Sequence, residues 1–242
     1  MIVLNVAVFL AYWPLGTDQS VARVFAEWGM VPARISTGEA MITPLTAMFV
    51  HGGWLHIGLN MLFLRIFGDN LEDEMGGPKF LGFYLLCGLI AFFVQYIAAP
   101  GSQVPVAGAS GAVAGVMGGY FLMFPRARVD VALYLVVTVR VIAVPAWLLL
   151  SAWFVLQVWG GMATPAGSGS VAFWAHVGGF SAGVALTVPL WRMRGGRNFW
   201  HRFHGLPPHP SAGAAIPVVR RRGAKLPPPQ SRGLFRRDQD QT

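Results

Sequence analysis

The chain has 242 residues, of which 55% are hydrophobic and only 12% are charged. Soluble domains usually carry about 25% charged residues. A composition this poor in charge therefore excludes an ordinary soluble domain and indicates a protein that folds in lipid. The single cysteine, Cys87, excludes an internal disulfide and is interpreted as a small buried hydrophobic residue.

Six stretches are candidate transmembrane helices, because about 20 apolar residues cross the ~30 Å hydrocarbon core. They run from Met1 to about Leu15, Trp54 to Leu71, Pro78 to Ala98, Gly108 to Phe124, Ile142 to Trp159, and Val171 to Trp191. The first stretch lacks the basic n-region and cleavage site of a signal peptide, which favours a retained anchor. The sequence thus predicts an all-α, six-helix transmembrane domain over residues 1–191.

The formal net charge of +8 is concentrated in one tail. From Arg192 onward there are 11 Lys and Arg against 2 Asp and Glu, and the rest of the chain is nearly neutral. The tail is also rich in proline and glycine, a composition that does not form a packed core. We expect residues 192–242 to be a disordered cytoplasmic tail that touches anionic lipid, and this is favoured over nucleic-acid binding.

The basic residues also predict the orientation of the bundle. With the tail inside, the segments between spans two and three and between spans four and five are inside too, and they carry Lys79, Arg126, Arg128 and Arg140. The uncharged loops 100–107 and 160–170 and the long loop 16–50 are then outside. This arrangement satisfies the positive-inside rule and makes both termini cytoplasmic.

Polar side chains in a membrane span are costly and usually mark function, and candidates of this kind lie in spans two, four and six. Span two holds His56 and Asn60 on one helix face, span four opens around Ser110, and span six holds His176. His56, Ser110 and His176 each lie a few residues from the outer start of a span. At 1.5 Å per residue they lie at a similar depth, roughly 5–10 Å into the membrane, which predicts a shared site.

Small residues on spans four and six would let these helices approach closely. The predicted packing residues near the site are Gly108, Gly111, Gly179 and Gly183. Close approach is needed because a Ser–His hydrogen bond requires about 2.6–3.2 Å between heavy atoms.

These residue types suit a serine hydrolase. His176 would take the proton from Ser110, which attacks a peptide carbonyl. His56, Asn60 and the backbone N–H of Ser110, near the positive end of a helix dipole, would stabilise the oxyanion. Because no acidic residue is predicted at this depth, we expect a Ser–His dyad in a water-filled cavity.

Two other classes of function are weaker interpretations. Three histidines could indicate a metal or haem, but their neighbours are serine, asparagine and glycine rather than carboxylates or thiolates. No metal or cofactor is therefore expected. A transporter would need charged residues near the midplane or a broken-helix repeat, and neither is evident.

Taken together, the motifs resemble the rhomboid proteases over about residues 40 to 190. The quoted segments are His51-Gly-Gly-Trp-Leu-His56-x-x-x-Asn60, Gly68-x-x-x-Glu72-x-x-x-Gly76, Gly108-x-Ser110-Gly111 and Ala175-His176-x-x-Gly179-x-x-x-Gly183. The Gly-x-Ser-Gly pattern alone is weak, whereas the ordered set on spans two, four and six is specific.

The resemblance implies Ser110 as nucleophile, His176 as general base, and His56, Asn60 and the Ser110 amide as the oxyanion site. It implies cleavage of transmembrane proteins near the outer membrane face, without a cofactor. Span five, with Trp147, Trp153 and Phe154, would be the lateral gate for substrate.

Two further expectations concern the membrane in which the protein lies and whether it is an active protease. A bacterial plasma membrane is the expected location, and the sequence leaves the oligomeric state open. The alternative function is a catalytically inactive relative that binds membrane clients. Such relatives typically lack the serine or the histidine, and this chain has both.

Overall fold

A computed structural model describes residues 1–13, 18–135, 138–165 and 171–208. Most of this described chain is helical, with one pair of strands. In chain order the elements are α1 (Ile2–Tyr12), α2 (Asp18–Trp28), α3 (Pro32–Ser36), α4 (Thr43–Thr46), a 3₁₀ turn (Ala47–Phe49), α5 (Trp54–Met75), α6 (Gly77–Ala98), α7 (Ser110–Met123), β1 (Arg128–Leu135), β2 (Thr138–Pro145), α8 (Ala146–Ala163), α9 (Phe173–Met193) and α10 (Arg197–Phe203).

Several of these helices are apolar enough to lie in a membrane. Among the described residues, α6, α8 and α9 are each long enough to cross one, and the number becomes four if the pair Thr43–Phe49 and Trp54–Met75, bent by 93°, counts as one span. Two shorter apolar helices, α1 and α7, have 11 and 14 residues. The protein is therefore a multi-pass membrane protein, whereas the predicted number of six spans is not confirmed.

Helix α7 is the most enclosed element of the bundle. Eleven of its fourteen residues are buried, and it packs against α5, α6 and α9. A Cβ atom at Gly179 would collide with the carbonyl oxygen of Gly111, and one at Gly183 would collide with that of Gly115. The backbones of α7 and α9 are thus in direct contact, as the small residues predict.

A two-stranded antiparallel sheet joins α7 to α8, and the all-α prediction is wrong for this segment. Arg128 on β1 lies opposite Pro145 on β2. The predicted start of span five at Ile142 falls inside β2, whereas α8 begins at Ala146. A short apolar run is compatible with either a strand or a span, and its β-branched residues favour the strand.

Helix α10 lies in the tail that the composition predicts to be disordered, so that expectation is wrong for this part of it. Phe199 is 2% exposed, and the indole Nε1–H of Trp200 donates to the carbonyl of Leu122 over 3.0 Å. Aromatic side chains therefore hold this segment against the C-terminal end of α7. The rest of the predicted tail, from residue 209 on, lies outside the described residues, as do the predicted end of span one at Leu15 and part of the loop 160–170.

Candidate active site

Ser110 and His176 meet where two helices begin. Ser110 is the first residue of α7 and His176 is the fourth residue of α9. The distance between Ser110 Oγ and His176 Nε2 is 2.8 Å. A neutral imidazole accepts at Nε2 when its proton is on Nδ1. This geometry allows the serine hydroxyl to donate to the histidine, as general-base chemistry requires.

The other nitrogen of His176 is held from α8. Its Nδ1 lies 2.8 Å from Oε1 of Gln157, and the ring of Trp153 lies 5.8 Å away at 38°. Gln157 is only 9% exposed. Gln157 is not among the residues predicted from the sequence, because only an acidic side chain was expected as a third group. The signal was present, since an amide inside a predicted span is uncommon and usually marks function.

His56 presents a donor beside the serine. The N–H of Gly52 donates to His56 Nδ1 over 3.2 Å, so the proton of the neutral ring is on Nε2. A Cβ at Gly108 would lie 2.8 Å from His56 Nε2 and 3.8 Å from Ser110 Oγ. Gly108 also has φ of +125°, which disfavours other residues. Glycine at this position therefore keeps the space between the two side chains open.

Two further donors border the same space. Asn60 is 6% exposed, and its Nδ2 donates one hydrogen to the carbonyl of His56 over 2.8 Å. The amide has a second N–H. The N–H of Ser110 is at the first position of α7, where helix geometry supplies no acceptor. Both lie next to His56 on the wall of one cavity.

The loop before Ser110 is anchored to the turn that precedes α5. The N–H of Gly108 donates to the carbonyl of Ala47 over 2.8 Å, and the N–H of Ala109 donates to His51 Nε2 over 3.4 Å. The hydroxyl of Tyr12 bonds both the N–H and the carbonyl of His51, each over 2.7 Å. His51 thus positions the serine loop from a fixed backbone.

A cavity of about 530 Å³ opens beside these groups. Ser110, His176, His56 and Asn60 lie on its wall with apolar side chains such as Phe63. At about 30 Å³ per water molecule, this volume holds many waters or a stretch of peptide. No group of three His, Cys, Asp or Glu able to hold a metal ion occurs in the described part of the chain.

Helix α7 is short for a membrane-spanning helix. At 1.5 Å per residue its fourteen residues extend about 21 Å, against a hydrocarbon core of ~30 Å. The depth of Ser110 in the membrane stays a prediction from the sequence.

Comparison with protein families shows which family the chain belongs to. Residues 39–193 match the rhomboid domain. The chain belongs to the rhomboid family. The matched region contains every residue of the candidate site, from His51 to Gly183.

Similar rhomboids come from organelles and from bacteria. Rhomboid protein 1, mitochondrial, of Saccharomyces cerevisiae is 29% identical over 75% of this chain and 49% of its own length. Rhomboid-like protein 11, chloroplastic, of Arabidopsis thaliana is 42% identical over 30% of this chain and 25% of its own length. The protein named "Putative rhomboid protease YdcA" of Bacillus subtilis is 34% identical over 37% of this chain and 44% of its own length. The chain thus spans a quarter to a half of these rhomboids.

Proposed function

We propose that this rhomboid is an intramembrane serine endopeptidase that hydrolyses peptide bonds of transmembrane proteins. The observation that carries the proposal is the 2.8 Å contact between Ser110 Oγ and His176 Nε2 at the wall of a cavity. A half-buried polar pair inside a membrane bundle is costly and usually marks function. The name of the Bacillus subtilis relative includes protease, which agrees with this proposal.

The proposed reaction has two half-reactions. His176 accepts the Ser110 proton while Oγ attacks the substrate carbonyl, and a tetrahedral oxyanion forms. His176 then gives that proton to the leaving amine, and the C–N bond breaks to leave an acyl-enzyme. A water molecule from the cavity loses a proton to His176 and attacks the ester, which releases the acid and restores the serine.

Three donors would stabilise the oxyanion. These are the Nε2–H of His56, the free amide hydrogen of Asn60 and the backbone N–H of Ser110. They come from the first two turns of α5 and the first turn of α7, so their positions depend on helix packing rather than on a mobile loop. Preorganised donors in a site shielded from bulk water are usually a large part of the catalytic effect.

The substrate is proposed to enter from the lipid beside α8. Only four residues of this helix are buried, namely Ala146, Leu150, Gln157 and Gly161. Trp153 contacts Phe180 on α9 at 6.1 Å, and Phe154 contacts it at 4.9 Å. Separating α8 from α9 would break few contacts and would open the cavity toward the lipid.

The proposed location is a bacterial plasma membrane, with both termini in the cytoplasm and the site toward the outer face. The orientation rests on the distribution of basic residues. Fusions after residue 208 to green fluorescent protein and to alkaline phosphatase test the orientation. Fluorescence without phosphatase activity is expected, and the reverse result would contradict a cytoplasmic C-terminus.

The catalytic proposal is tested by serine labelling and by cleavage. The protein is reconstituted in vesicles with a single-span substrate and treated with a fluorophosphonate probe. We expect wild type to cleave and to be labelled, and both Ser110→Ala and His176→Ala to do neither. Ser181→Ala, an exposed serine on α9, is the matched control and should behave as wild type.

Equal cleavage by wild type and all three variants would contradict the assignment of Ser110 and His176 as the catalytic dyad. A wild type that neither cleaves nor reacts with the probe, yet captures the substrate by photocrosslinking, would instead support the alternative of an inactive client-binding rhomboid.

A further inference from the structure

We propose that Gln157 is a positioning residue that makes His176 a base toward Ser110, so that the site works as Ser–His–Gln rather than as an isolated pair. The inference rests on the proposed function and extends it to α8. It starts from the 2.8 Å contact between Gln157 Oε1 and His176 Nδ1.

Gln157 is a buried polar group on an otherwise apolar helix. It is 9% exposed, whereas its neighbours Val155 and Leu156 are each 63% exposed. A buried amide without a partner would destabilise the fold, so its contact must supply what water would have supplied. Among the contacts described for its side chain, the partner is the imidazole of His176.

The contact selects one tautomer of His176. If Nδ1 carries the proton, it donates to Gln157 Oε1 and leaves Nε2 as an acceptor for the serine hydroxyl. If the amide were reversed, its N–H would donate to Nδ1, and the proton would be on Nε2. The ring would then be unable to take the proton of Ser110. Both arrangements could satisfy the two 2.8 Å contacts, but only the first supports general-base catalysis, and it is the one in which Gln157 Oε1 faces Nδ1.

Gln157 and Trp153 contact the ring of His176 from the same helix, α8. They are four residues apart on α8, so they share one helix face, and both contact the ring of His176. The amide fixes the rotation of the ring and the indole limits its tilt. Because an amide carries no charge, its role is to orient the base rather than to compensate the imidazolium as a carboxylate would.

The test compares variants at position 157 in vesicles. Gln157→Met keeps the size of the side chain but removes the strong hydrogen-bond acceptor. Gln157→Asn moves the acceptor oxygen away from His176 by one methylene, and Gln157→Glu keeps an oxygen at the same position. We expect the first two to lower kcat about 10- to 100-fold, part of the roughly 100- to 10,000-fold that a positioned general base contributes. KM should change less than kcat, because Gln157 contacts the base and is not proposed to contact the substrate. Gln157→Glu should recover most of the loss.

A spectroscopic arm measures the tautomer without catalysis. Nitrogen-15 NMR of labelled histidine side chains, assigned by difference with His176→Ala, should show Nδ1–H in wild type and a mixture in Gln157→Met. Leu156→Met, on the lipid-facing side of α8, is the control and should match wild type in kcat and in the spectrum.

Three results decide between the possibilities. Unchanged kcat and an unchanged tautomer in folded Gln157→Met or Gln157→Asn would overturn the role of Gln157 while Ser110 labelling persists. If kcat falls equally in Gln157→Met, Gln157→Asn and Gln157→Glu while the tautomer of His176 is unchanged, Gln157 contributes only packing. If wild type shows neither cleavage nor labelling, the proposed function fails, and the NMR comparison alone decides whether Gln157 sets the tautomer.

Discussion

Each of three histidines near the site is held through one nitrogen so that the other faces a defined partner. In His51, Nδ1 contacts the carbonyl of Phe49 at 3.2 Å while Nε2 accepts from Ala109. In His56, Nδ1 accepts from Gly52. In His176, Nδ1 contacts Gln157 while Nε2 faces Ser110. Neighbouring groups thus assign three similar rings to an anchoring, a donating and a proton-accepting role.

Gly108→Ala should nearly abolish labelling of Ser110 by a fluorophosphonate. A methyl group there would lie 2.8 Å from His56 Nε2, and its φ of +125° is unfavourable for alanine. Displacing one oxyanion donor typically costs about 100- to 1,000-fold in kcat. The control is Gly58→Ala, since a Cβ at Gly58 would meet nothing within 4 Å. Labelling of Gly108→Ala at the wild-type rate would show that His56 is not a donor.

Asn60→Ala should lower kcat for the single-span substrate much more than it raises KM. Its amide is proposed to act on the oxyanion, which exists only in the transition state and the intermediate. Steady-state kinetics in vesicles measure the two constants separately. A change confined to KM would assign Asn60 to substrate binding instead.

The sequence predicted Ser110, His176, His56 and Asn60 as one site because polar residues at a shared depth in apolar helices are a strong signal. It could not predict the tautomers, since these depend on backbone groups such as the N–H of Gly52. Gln157 was missed for a different reason. Its four-residue spacing from Trp153 was visible, but its partner lies 19 residues away on another helix.

Among the elements, α7, α8 and α9 differ in how firmly they are held. Glycines bring α7 and α9 into backbone contact, which favours weak Cα–H···O interactions and close packing. Only one face of α8 is buried, and it includes Gln157. The nucleophile and the base therefore lie on a tightly packed helix pair, whereas the contacts that orient the base come from a helix with little buried surface.

Gly183→Ala should destabilise this pair. The added methyl would collide with the carbonyl of Gly115, and overpacking of a tight core typically costs about 1–3 kcal/mol. Thermal unfolding in detergent should show a lower midpoint. Gly82→Ala on α6 is the control, because a Cβ there would meet nothing within 4 Å, and its midpoint should be unchanged or slightly higher. Equal midpoints for the two variants would contradict direct backbone contact.

The sequence was most informative about α5, α6, α7 and α9, whose predicted boundaries differ from the structure by no more than four residues. Apolar length and flanking polar residues define such helices well. It failed at β1 and β2, because an apolar run has the same appearance in a strand and at the start of a span. It also predicted α5 to end at Leu71, since the following acidic residues suit water, although a helix can extend beyond the apolar layer to Met75.

At the scale of the whole molecule, the two ends of the bundle have different chemistry. The catalytic candidates lie at the N-terminal ends of α5, α7 and α9. The opposite end carries a salt bridge between Arg194 and Glu74. Arg194 Nε lies 2.9 Å from Glu74 Oε2, and Arg194 Nη2 donates to the carbonyl of Glu74 over 2.9 Å. Helix α10 covers the same end through Phe199. The bundle is therefore closed where the tail begins and open at the cavity.

Arg194→Met should lower the stability of the whole bundle by about 1–3 kcal/mol. The Glu74 side chain is 3% exposed and would lose its cation, and breaking a fully buried pair costs about 3–5 kcal/mol. The expected loss is smaller because the guanidinium side is 47% exposed. Denaturation in mixed micelles measures it, with Arg65→Met as control. The Arg65–Asp69 pair is more exposed, at 55% and 27%, and should contribute less than about 0.5 kcal/mol. A similar loss in both variants would argue against a special role for Glu74.

The enclosure of α7 has a consequence for the way the bundle meets lipid. Its fourteen residues extend about 21 Å, but the longer helices α5, α6 and α9 surround it. Any hydrophobic mismatch, at fractions of a kcal/mol per ångström, would therefore be set by those outer helices. The space beyond the N-terminal end of the short helix is lined by protein side chains rather than by acyl chains.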